Sequence, residues 1–127
     1  EGDEIAIEWE WGGVLGKANE LERLKLHKVW SKEKDSRRLL KYAVLITYTH
    51  TYNIDRVYER VLAEWKEASW PLLLILIDVR ESKEFGSHKE FKHIQMSVFH
   101  NGKRRKLRVA PAFPWEVPGT RWSYELK

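Results

Sequence analysis

The stretch that most constrains this chain is LLLILIDV, residues 72–79, which is apolar at odd and even positions alike. Successive side chains of a strand point to opposite faces, so such a run has no polar face to offer water and belongs inside a sheet covered on both sides. Ahead of it Ile54, Val57, Tyr58, Val61, Leu62 and Trp65 recur at i, i+3, i+4, i+7, i+8 and i+11. That is the stripe of an amphipathic helix, predicted over residues 53–67 with Asn53 as its cap. Before the helix, YAVLITYT (42–49) has the β-branched and aromatic content of a buried strand. Strand, helix and strand make a βαβ unit, in which segments 42–49 and 72–79 run parallel as neighbours or near neighbours.

The remaining segments extend this unit in both directions. IAIEWEW (5–11) reads as a strand broken by a Gly-Gly pair, and Asn19 with Glu22 forms a capping box opening a helix toward Trp30. Two charged segments, SKEKDSRR (31–38) and ESKEFGSHKEF (81–91), read as loops. In HIQMSVFHNGKRRKLRVA (93–110) the Asn101-Gly102 pair signals a tight hairpin, with Ile94, Met96 and Val98 on one face of its first strand. The tail, rich in Pro and aromatic residues, is expected to cross the body irregularly. The predicted order is β-α-β-α-β-β-β, an α/β domain with a mixed β-sheet flanked by helices, spanning residues 1–127 as a single unit.

Composition narrows the class of function. The 127 residues are 43% hydrophobic without low-complexity runs, as in a globular domain. No apolar run reaches the roughly 18 residues that span a bilayer, and no targeting segment is visible, so no membrane partner is expected. The absence of cysteine excludes a disulfide framework and thiolate metal sites, and makes a reducing, cytoplasmic compartment the default. Met96 is the sole methionine, so Glu1 does not read as a gene start and an upstream part is expected.

Two clusters carry chemistry. Alternation puts Ile5, Ile7, Trp9 and Trp11 on one face of the first strand and Glu8 and Glu10 on the other, the two acids about 6–7 Å apart along the strand. That spacing suits two oxygens reaching for one cation, and equally suits a solvated strand face. KRRKLR (103–108) is basic at Lys103, Arg104, Arg105, Lys106 and Arg108. On a hairpin these side chains project outward, either to contact phosphates or to guard an edge strand against aggregation. The histidines His27, His50, His88, His93 and His100 show no metal-ligand spacing and read as surface or strand residues, with His50, just beyond its strand, the nearest to a cleft.

An isoleucine-rich strand ending in Glu-x-Glu, followed by a glycine break, a charged helix and YAVLITYT, resembles the second half of the PD-(D/E)XK nuclease core, the restriction-endonuclease-like fold. The resemblance covers about the first eighty residues. It implies that Glu8 matches the family's metal-binding acid and Glu10 the position usually held by lysine, with Lys17 or Lys25 able to approach in its place. It implies Mg2+ or Mn2+ as cofactor, DNA as substrate and phosphodiester hydrolysis as reaction, and it admits a homodimer. Asp3 is a poor match to the family's second acid, which an upstream strand would then supply. The alternative is a non-catalytic nucleic-acid-binding or assembly module on the same fold. An acidic neighbour beside Glu8 favours the enzyme, an apolar or basic one the module.

Overall fold

The computed structural model describes residues 5–10, 14–16, 19–25, 40–82 and 88–112. Their elements, in chain order, are β1 (Ile5–Glu10), α1 (Asn19–Lys25), β2 (Tyr42–His50), α2 (Ile54–Trp65), β3 (Leu72–Ser82), β4 (His88–His100) and β5 (Lys103–Pro111), with a 3-10 turn, Thr51–Asn53, leading into α2. The strands form one mixed sheet in the order β1-β2-β3-β4-β5. β1, β2 and β3 are parallel, and β4 and β5 return antiparallel. The expected βαβ unit is present, with Leu45 beside Leu74 and Thr47 beside Leu76 in its register.

Both helices lie on one face of the sheet, and the core is the layer between. From the strands it takes Ala43, Leu45, Leu72, Leu74, Leu76 and Phe99, all without exposed surface. Helix α1 adds Leu21 and Leu24, and α2 adds Val57, Val61 and Trp65. The stripe read from the sequence is the face α2 buries, with Ile54 and Leu62 on its half-covered margins. Two indoles tie the layer together, since Trp65 Nε1 donates to the Trp70 carbonyl at 2.7 Å and Trp70 Nε1 to the Leu24 carbonyl at 3.1 Å. The end of α2, the entry to β3 and the end of α1 thus share buried hydrogen bonds, which satisfy groups that are costly to bury unpaired. Lys25 adds an ion pair with Glu64 at 3.7 Å.

Several boundaries differ from the sequence expectation. Half of the anticipated loop at 81–91 is ladder, because β3 runs on to Ser82 and β4 begins at His88. The register sets Arg80 opposite Glu90, and their ion pair at 3.4 Å turns a charged stretch into a cross-strand match. Asn53 sits at the N-cap of α2 without a side-chain cap bond; its Oδ1 accepts from Arg56 instead, at 3.4 Å. Among the described residues the sheet is flanked by helices on one face only. The charged loop at 31–38, the tail beyond residue 112, and Trp11, Lys17 and Asp3 lie outside the described residues. No described helix is long and apolar enough to cross a membrane.

Candidate nucleic-acid interface and acidic pair

The basic cluster becomes β5, an edge strand. Asn101 and Gly102 hold φ of 52° and 72°, the paired left-handed values of a two-residue hairpin turn. The turn sets the register, and the register sorts the cations. Arg104 pairs with Phe99 and Lys106 with Ser97, both wholly buried on the helix side, so these two cations lean toward α2. Lys103 and Arg105 pair with His100 and Val98 and take the opposite face. A bulge between Met96 and Ser97 leaves Leu107 without a register partner and returns Arg108 to a position beside Met96, on the face of Arg105. Every residue from Lys103 to Arg108 is exposed.

On the helix side the Arg104 guanidinium carbon lies 3.7 Å from the centroid of the Tyr58 ring, a cation–π contact that fixes the arm of the arginine. The Tyr58 hydroxyl donates to Gln95 Oε1 at 2.8 Å. Burial pushes the phenol above its ordinary pKa, against the opposing pull of the Arg104 charge. A groove of about 510 Å³ runs between α2 and β5, bordered by Asp55, Tyr58, Glu59, Leu62, Arg104 and Lys106. Its two carboxylates partly offset its two cations, whereas Lys103, Arg105 and Arg108 face away from them.

Glu8 and Glu10 share a face, as alternation requires, but it is the helix-covered face. Glu8 pairs with the buried Leu45 and Glu10 with Thr47, so both carboxylates are half-buried, while Ile5, Ile7 and Trp9 point to the open side. The solvated strand face considered for the pair is therefore occupied by the apolar residues instead. Thr47 Oγ1 donates to the Glu10 carbonyl at 3.0 Å and is committed there. Lys25, one of the two lysines expected near the acids, is engaged with Glu64.

A third cluster went unread in the sequence. Asp78, 1% exposed, closes the apolar run of β3, and its Oδ2 accepts from the Thr51 hydroxyl at 3.2 Å and lies 3.4 Å from Nδ1 of His93. Its Oδ1 is buried without a hydrogen-bond partner. A bulge follows Asp78 in the β3–β4 ladder, at the carboxyl end of the parallel strands where α/β sheets commonly place their sites. The His93 ring stays half-exposed, oriented by a buried carboxylate, an arrangement suited to moving a proton. The available signal was the lone acid ending an apolar strand, since a buried Asp is rare unless paired. His50 stacks on Tyr52, with ring centroids 5.2 Å apart.

Among the described residues no three His, Asp or Glu side chains come together to hold a metal. Comparison with protein-family models, curated proteins and solved structures yields no match. What the chain does must therefore follow from these three clusters and their positions in the sheet.

Proposed function

We propose that the chain is the core part of a metal-dependent nuclease acting on DNA, with the restriction-endonuclease-like arrangement that its first eighty residues resemble. The observation that carries this reading is the Glu8–Glu10 pair, half-buried together at the carboxyl end of a parallel strand and beneath a helix rather than spread on a solvated edge. Two carboxylates with retained water are a donor set that Mg2+ accepts, particularly when a substrate phosphate completes the shell. An ion held by Glu8 and Glu10 would polarise the phosphate and acidify the attacking water. The chain's own contributions are the two carboxylates and the exposed cations of β5, which would hold the phosphate backbone by charge without reading sequence.

One observation favours the second reading, a non-catalytic nucleic-acid-binding or assembly module. The register partner of Glu8 is the apolar Leu45, so β2 adds no oxygen at that level. Calorimetry with Mg2+ and Mn2+, together with cleavage of plasmid DNA, separates the two. Under the nuclease reading the wild-type chain binds the ion and cuts DNA, and Glu8→Gln, which keeps shape and removes charge, abolishes both. Glu10→Gln has the smaller effect. DNA binding with neither ion binding nor cleavage would leave the module.

A further inference from the structure

Tyr52 is the most exposed large hydrophobic side chain among the described residues, 79% open to solvent against 58% for Ile7, the next in order. It belongs to the 3-10 turn Thr51–Asn53 that joins β2 to α2, at the carboxyl end of the parallel strands where α/β sheets commonly bind ligands. An aromatic ring left in water forgoes the stabilisation its area would gain on burial, so what holds it there bears on what it does. Two contacts hold it. The ring lies flat against that of His50, with centroids 5.2 Å apart and planes within 9°, an offset stack that leaves its other π-face to solvent. The turn itself is tethered to β3, since the Thr51 hydroxyl reaches Oδ2 of Asp78 at 3.2 Å and the Val79 carbonyl at 3.4 Å.

We infer that the solvent face of Tyr52 stacks an unpaired base of a nucleic acid, with Arg56 holding the adjoining phosphate. The inference rests on the nucleic-acid reading above and narrows its substrate class to DNA carrying unpaired nucleotides. Three features select that ligand. First, two rings already stacked are extended by a third planar ring, and a base supplies one whatever the sequence. Second, the residues beside the ring, Thr51, Asn53, Asp55 and Arg56, are polar, so it stands alone rather than within an apolar patch of the kind a protein partner would cover. Third, Arg56 is exposed in the first turn of α2 and kept on this turn by the hydrogen bond that its Nη1 donates to Oδ1 of Asn53 at 3.4 Å, while Asp55 borders the groove toward β5. A guanidinium so placed suits a phosphate oxygen. Bases of a duplex are stacked on one another, so only an unpaired one presents a face to the ring. The ring stands at the same end of the sheet as Glu8 and Glu10, whose strand runs parallel beside β2.

The test is a titration in EDTA, where cleavage cannot contribute, with a run of about 12 thymidines carrying 2-aminopurine at its centre, and with the duplex it forms with its complement. The expected result is binding of the single strand with quenching of the probe's fluorescence, and no such quenching in the duplex. Tyr52→Ala, at a position exposed enough to be compatible with the fold, should weaken single-strand binding about tenfold and remove the quenching. Tyr52→Phe, which keeps the π-face, should behave as the wild type, and Tyr52→Leu, apolar without a π-face, as the alanine variant. Arg56→Gln should lower the slope of log affinity against log salt by about 0.7, the share of one phosphate on a single strand. Binding without quenching, quenching that survives Tyr52→Ala, or no binding of the single strand would overturn the inference. Plasmid cleavage in Mg2+ separates it from the nuclease reading: cleavage without stacking defeats the stack alone, and stacking without cleavage defeats the nuclease alone.

Discussion

Asp78 shows how much one side chain can organise. Its carboxylate is the shared partner of Thr51 and His93, both reached by solvent, so what its removal forfeits is the net worth of such a hydrogen bond, about 1 kcal/mol. Asp78→Ala should therefore lower unfolding stability by about that amount, read as a drop in the urea midpoint at unchanged slope, and Asp78→Asn, which keeps an acceptor, by less. An unaltered midpoint in the alanine variant would mean that the cluster contributes nothing to the folded state. Tyr58 makes a prediction in pH. Its phenol titrates higher when folded than the ordinary 10.0, so above pH 10 the folded state holds a proton that the unfolded state has released. Stability from this residue is thus whole below pH 10 and falls as pH rises through the folded value. Denaturant midpoints measured from pH 9 upward should decline, and Tyr58→Phe should flatten that decline.

At the scale of elements, the β4–β5 hairpin joins a strained turn to a row of cations. Gly102 sits at φ +72°, and a Cβ added there would meet only Lys66 Cγ at 3.8 Å, an ordinary contact. The cost of Gly102→Ala thus comes from the backbone alone, about 1–2 kcal/mol for a left-handed non-glycine residue, and thermal unfolding should register it. If β5 contacts phosphates, Arg104→Ala/Arg105→Ala/Lys106→Ala should weaken duplex binding across all sequences. The slope of log affinity against log salt should fall by up to about 2.7, at about 0.9 for each phosphate no longer neutralised. Affinity unchanged at low salt would assign the row to edge protection. The hairpin was legible because Asn-Gly admits few alternatives, and its cations were legible as a group. Alternation divides Lys103 and Arg105 from Arg104 and Lys106, but the placing of Arg108 on the face of Arg105 was not legible, since it depends on a bulge that no residue type announces.

For the molecule as a whole, the parallel pair β2–β3 and the packing of α2 followed from pattern, because a run apolar on both faces and a helix with one clean stripe leave little freedom. The acidic pair was legible only halfway. Alternation fixes that Glu8 and Glu10 share a face, but which face is covered depends on where α1 packs, and α1 packs over Ala6 and Leu45. The Asp78–His93 pair joins residues 15 apart in sequence across an irregular ladder, so no local pattern could bring it together. The strand order has its own consequence for how such a chain comes to fold. Among the described strands, each from β2 to β5 pairs with the one synthesised just before it, so these strands can add in chain order as the polypeptide leaves the ribosome, each finding its template already laid down. Among the described residues no strand pairs with the outer side of β1, so that row of backbone donors and acceptors is a ready template for one more strand.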